Sequence, residues 1–114
     1  MNIEDLKQFG IKGSKNGLLI VEVSSKWCIS CPLLECILEK FRDEHLIKFE
    51  KIDLDLYPSV IQSLNITAMP LLLFFRDGKL LSKDIRVNDY NFVKHGRMAG
   101  VTCENVIMKI IEKL

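Results

Sequence analysis

The sequence predicts an α/β fold, with one mixed central β-sheet and helices on both of its faces. Three observations predict it. Apolar or alternating strand-like runs at residues 18–23, 47–54 and 71–75 are separated by segments of helical periodicity. An Asp77-Gly78 pair follows the third run and marks a tight hairpin. An amphipathic stripe then closes the chain. Strands that alternate with helices and end in an antiparallel pair form a mixed sheet covered on both sides. With 114 residues and no repeat, low-complexity stretch or linker, the chain reads as a single domain, 1–114.

Taken in order, residues 3–9 suit a short helix closed by Gly10, and G-S-K-N-G (13–17) suits a turn. L-L-I-V-E-V (18–23) is a buried strand interrupted by one acid, Glu22. Leu33, Leu34, Ile37, Leu38 and Phe41 recur at helical spacing, with Glu35, Glu39, Lys40 and Arg42 on other faces. I-K-F-E-K-I-D-L (47–54) alternates as a strand does, and residues 58–64 suit a short helix opened by Pro58. L-L-L-F-F (71–75) is a second buried strand, and a returning strand is expected from about Lys79 to Val87. In the last helix Thr102 is the expected N-cap, and Val106, Ile107, Ile110, Ile111 and Leu114 make one stripe.

Composition narrows the function. Sixteen basic and fifteen acidic residues leave a net charge of +1, which provides no electrostatic footprint for nucleic acid or an anionic membrane. The polar N-terminus has no signal-peptide pattern, and the longest apolar run before position 80 is far too short to cross a bilayer. A reducing cytosol is therefore expected, where four cysteines serve as free, catalytic or metal-binding thiols rather than as a structural framework.

Two of the four lie in K-W-C-I-S-C-P, residues 26–32, between a strand and an amphipathic helix. Positions i and i+3 are neighbours at a helix start, so Cys28 and Cys31 can approach closely enough to bond. The partial positive charge of a helix N-terminus favours a thiolate at Cys28, the nucleophile that opens a disulfide, and Cys31 can then resolve the mixed disulfide. A metal site needs two more ligands. Cys36 is nearest, but five residues along a helix rise ~7.5 Å and turn ~140°. Cys103, His45 and His95 have no ligand-like spacing. No metal is expected, and Cys36 and Cys103 read as plain small side chains. Two unreactive buried thiols are the remaining alternative.

W-C-I-S-C after L-I-V-E-V, then K-I-D-L-D, then A-M-P before L-L-L-F-F, then D-G, resembles the thioredoxin family in order and spacing. The likeness covers about residues 18–82 and the final helix. It implies a thioredoxin-like fold in which Cys28 attacks and Cys31 resolves. It implies that Trp27 flanks the active surface with Ile29 and Ser30, and that the Met69-Pro70 bond is cis and faces the disulfide, beside the substrate segment. Glu22 falls where the family carries a buried aspartate, and Lys51 falls on that acid's lysine partner. Read without the resemblance, Lys51 is a strand-face surface residue, Glu22 a strand-end acid and Trp27 a core aromatic.

The sequence also departs from the family. The first strand is shortened or absent, Ile29-Ser30 replaces the usual Gly-Pro, and Pro32 disfavours helical backbone at Cys31. The segment at about 84–100 is longer than the family pattern. It suits either a helical turn opened by Asn88 or a longer strand and loop ending at H-G-R-M-A-G. Val87-Asn88 and His95-Gly96 both stand as candidates for the groove-edge glycine position. The function implied is a cytoplasmic protein-disulfide reductase with no bound cofactor, re-reduced by a thioredoxin reductase drawing on NADPH. The alternative is a thioredoxin-fold binding module with little turnover.

Overall fold

The computed structural model describes residues 1–114. A 3-10 helix at Ile3–Phe9 is followed by β1 (Leu18–Ser24), α1 (Cys31–Asp43), β2 (Lys48–Asp53) and α2 (Val60–Ser63). Then come β3 (Leu71–Arg76), β4 (Lys79–Leu80), β5 (Ile85–Val87), β6 (Tyr90–Val93), β7 (Arg97–Ala99) and α3 (Glu104–Glu112). No helix is long and apolar enough to cross a membrane.

β1 is the centre of the sheet, parallel to β2 on one side and antiparallel to β3 on the other. Neighbours on both edges and layers on both faces explain why its sequence is a nearly unbroken apolar run. The outer edge of β3 is shared: β4 pairs with Phe75 and Arg76, and β7 with Leu71 through Leu73. No strand of the sheet precedes β1, and the 3-10 helix occupies that stretch of the chain.

Alternation along the strands separates two cores. Ile20, Phe49, Leu72 and Phe74 point to the side covered by α1 and α3, where they meet Leu34, Leu38, Phe41, Ile107 and Ile110. Leu19, Val21, Val23, Ile52, Leu71, Leu73 and Phe75 point the other way, onto Ile3, Leu6 and Phe9 of the 3-10 helix and Val60 of α2. Burying about a dozen large apolar side chains on each face, at ~1.5–3 kcal/mol each, is what offsets the chain entropy.

Several expectations need correction. The returning strand does not run from Lys79 to Val87. It stops at Leu80, because the Phe74 N–H bonds Gly96 and β7 takes over the edge of β3 from there. The intervening chain folds out as a separate two-stranded β5–β6 hairpin, turned at Asn88-Asp89 (φ 52° and 65°), so the helical turn at Asn88 does not form. Cys103, not Thr102, is the N-cap of α3. Leu33 is exposed, so the buried stripe of α1 is Cys31, Leu34, Leu38 and Phe41. At Gly96 (φ +76°) a side chain is excluded on two grounds, since a Cβ would also collide with the Leu81 carbonyl oxygen.

Candidate functional site

Register brings the site together. Val23 pairs with Leu71, so the loop leaving β1 after Ser24 and the chain entering β3 through Pro70 lie at the same end of the sheet. Ser24 also pairs with Asp53 at the end of β2. Just beyond, the Asp55 carboxylate accepts a hydrogen bond from Lys26 N–H at 3.0 Å and one from the Ser25 hydroxyl at 3.3 Å. Asp55 therefore clamps the loop that carries Trp27 and Cys28. The sequence offered no periodic signal for that role.

Cys28 and Cys31 form a disulfide, with Cα atoms 5.4 Å apart. The helix begins at Cys31 rather than at Cys28. Cys28 stands in the turn leading in, its carbonyl accepting Cys31 N–H at 3.3 Å. Pro32 lies in the first turn, where its missing N–H costs nothing. The expectation that it would keep Cys31 out of helical backbone does not hold, because Cys31 is the first helical residue. Cys28 is half-buried and Cys31 is 1% exposed. Around them Trp27 is 79% and Ile29 97% exposed, which rules out a core position for the tryptophan. Ser30 Oγ lies 4.0 Å from Cys28 Sγ.

The Met69-Pro70 peptide bond is cis. Met69 is half-buried and Pro70 buried. The Pro70 carbonyl accepts Gly100 N–H at 2.8 Å, and Ala99 pairs with Leu71. The glycine beside the proline is thus Gly100. Neither Val87-Asn88 nor His95-Gly96 takes that place, since Gly96 lies further along β3, at Phe74. Ala68 and Gly100 border an open cleft of about 710 Å³ whose far wall includes Tyr90 and Lys94 from the β5–β6 hairpin and the residue that follows it.

Glu22 is the one buried charged residue, with no exposed surface and no hydrogen-bond partner for either carboxyl oxygen. Two-residue alternation places it on the α1 side with Ile20, and places Lys51 on that side with Phe49. Glu22 sits opposite Lys51 on one neighbouring strand and Leu72 on the other. Burial pushes its pKa up to about 9. The negative charge of Glu35 adds to the rise and Lys51 opposes it. Lys51 is not a private partner of Glu22, however, because its ammonium lies 3.7 Å from Glu35 Oε2. Glu35 is the residue that sequence reasoning left among the outward-facing ones. Its spacing of four from Cys31 was the signal that could have found it, since i and i+4 share a helix face.

Cys36 and Cys103 are free and exposed, and no three or more His, Cys, Asp or Glu side chains converge as metal ligands would. His45 and His95 are also exposed and join no such cluster.

The family model described as Thioredoxin matches residues 4–95. Thioredoxin H2 of Arabidopsis thaliana is 35% identical over 74 residues, covering 61% of this chain and 53% of the plant protein, so the match spans about half of that relative's length. Thioredoxin-1 of Saccharomyces cerevisiae is 32% identical over 76 residues, covering 66% of this chain and 74% of the yeast protein. Among solved structures, a mutant thioredoxin from Halobacterium salinarum superposes with a TM-score of 0.68 at 20% identity, covering 96% of this chain and 82% of that one. Thioredoxin-2, a component of the malaria parasite protein secretion machinery, gives 0.67 at 18% identity, covering 90% and 87%. At those identities the structures speak for the fold alone.

Proposed function

The chain belongs to the thioredoxin family, and from that membership we propose that it is a cytoplasmic thiol–disulfide oxidoreductase that reduces protein disulfides through Cys28 and Cys31. The observation that carries this reading is the bonded pair itself, with the half-buried sulfur in front of α1 and the buried one inside its first turn.

In the reduced protein the Cys28 thiolate attacks a substrate disulfide. A Cys28–substrate S–S bond forms, and the first substrate sulfur leaves as a thiolate. The Cys31 thiol then gives up its proton and attacks Cys28 Sγ. The intramolecular disulfide closes and the second substrate sulfur leaves, so two electrons have passed from the dithiol to the substrate. Glu22 is the proton acceptor for Cys31. In the disulfide form it is protonated near neutral pH, which suits it to return that proton to Cys31 when the bond is reopened.

The exposed Trp27 and Ile29 offer an apolar rim. The backbone at Met69-Pro70 pairs with an extended substrate segment in this reading, which is supported by the adjoining cleft that runs to Tyr90 and Lys94. Substrates are therefore polypeptide disulfides. Re-reduction falls to a thioredoxin reductase drawing on NADPH, with no cofactor bound to this chain. The balanced surface charge favours neither nucleic acid nor membranes as partners.

The test is turnover of a protein disulfide with dithiothreitol as reductant. The wild type is expected to turn over, and Cys28→Ser and Cys31→Ser are expected to lose catalysis. Binding of a disulfide polypeptide without turnover by the wild type would instead favour a binding module.

A further inference from the structure

Glu22 can serve Cys31 in both directions only if it exchanges its proton with water, yet neither of its oxygens is exposed to solvent or makes a hydrogen bond. The proton has to leave through a neighbour. The charged groups that face Glu22 are Glu35 and Glu39 from α1 and Lys51 from β2, while β3 contributes only Leu72. Cys31, Glu35 and Glu39 follow one another at spacings of four, so they form a single line along α1, with Cys31 buried and the two glutamates half-buried. Glu35 comes first after Cys31. Its side chain is 20% exposed, so it reaches water while lying against the buried acid, and the Lys51 ammonium lies 3.7 Å from its Oε2.

We propose that Glu35 is a proton-relay residue that carries the Glu22 proton to and from solvent and acts on Cys31 only through Glu22. The inference rests on the disulfide-reductase reading. Before resolution, Glu22 hands its proton to the Glu35 carboxylate, which releases it to water. The emptied Glu22 carboxylate takes the proton of the Cys31 thiol as Cys31 attacks Cys28 Sγ. In the reverse direction the proton moves from water to Glu35, then to Glu22, then to the departing Cys31 thiolate. Lys51 holds Glu35 in position and moves no proton.

Single-turnover kinetics on Glu35→Gln and Glu35→Asp test this. Formation of the mixed disulfide by Cys28 is followed separately from its resolution by Cys31, across a range of pH. Glu35→Gln is expected to slow resolution about tenfold near neutral pH, a modest share of what proton transfer contributes, and to leave the first attack unchanged. Added imidazole should restore the lost rate by carrying the proton itself. Glu35→Asp, which keeps the carboxylate, should retain most of it. Resolution as fast as in the wild type, or faster, would make Glu35 only a charge that perturbs Glu22, and the relay would be abandoned. Slow resolution that imidazole does not rescue, with an unchanged pH profile, would assign Glu35 a structural role and likewise overturn it. Failure of the wild type to form any mixed disulfide would instead count against the reductase reading on which the relay stands.

Discussion

Glu22 and Lys51 stand opposite each other across the β1–β2 ladder, yet the lysine's ammonium lies 3.7 Å from Glu35. One cation therefore serves two carboxyl groups. Replacing it with Lys51→Met removes the only group that lowers the Glu22 pKa, so that pKa should rise further above about 9. Carbon-13 carboxyl shifts followed through a pH titration of the oxidised protein would read this. An unmoved Glu22 titration would show that the lysine's charge is not felt there. Because the Lys51–Glu35 pair is partly solvent-exposed, stability should change by less than ~1 kcal/mol.

The raised pKa of Glu22 also makes stability depend on pH. The folded protein holds a proton up to about pH 9 that an ordinary glutamate, with a pKa of 4.5, releases on unfolding. The contribution is therefore fully present below pH 4.5 and is lost as pH rises toward 9. The slope is at most ~1.4 kcal/mol per pH unit, or roughly 3 kcal/mol lost between pH 4.5 and pH 7. Glu22→Gln has no such proton, so its advantage over the wild type should widen steadily across that window. Parallel denaturation curves at several pH values would check this, and a constant difference between the two proteins would refute it.

The two thiols should differ in reactivity. In the reduced protein Cys28 should alkylate before Cys31, because only Cys28 is open to solvent in the oxidised fold. Cys31→Ser should accumulate mixed disulfides with substrate, and Cys28→Ser should trap none. Cys36 and Cys103 are exposed and would be labelled too, so the mass spectrometry belongs in a Cys36→Ser, Cys103→Ser background. Modification of Cys31 ahead of Cys28 would reverse the assignment.

Asp55 should matter to the loop more than to the core. Asp55→Ala removes the acceptor of both Lys26 N–H and the Ser25 hydroxyl, which should cost about 1–2 kcal/mol. It should also speed hydrogen exchange at the Lys26 amide. Unchanged protection there would mean that the loop is held by other contacts.

At Gly96, alanine would meet both a left-handed backbone (φ +76°) and the Leu81 carbonyl oxygen. A loss of more than ~2 kcal/mol is expected in a denaturation curve. A neutral result would show that β7 and the Leu81 segment can separate without cost.

The amino-acid sequence by itself determined the elements whose signal is local. The apolar run of β1, the stripe of α1, the Asp77-Gly78 turn and the stripe of α3 each appear within one short window, because periodicity and turn chemistry act between near neighbours in the chain. The spacing of Cys28 and Cys31 is local in the same sense, and the pairing followed from it together with the family resemblance. What only the tertiary structure decided depends on residues far apart in sequence. The edge of β3 is shared by β4 and β7 because Gly96 competes for the Phe74 N–H, and no pattern within residues 79–87 encodes that competition. Gly100 lies beside Pro70 for the same reason. Glu35 read as one more acid on the polar side of α1, and its proximity to Glu22 arises only when that helix is laid across β1 and β2. Burial raises the proton affinity of Glu22, and burial depends on which surfaces meet. The resemblance located Glu22 as an acid within the site, but its charge state required the fold.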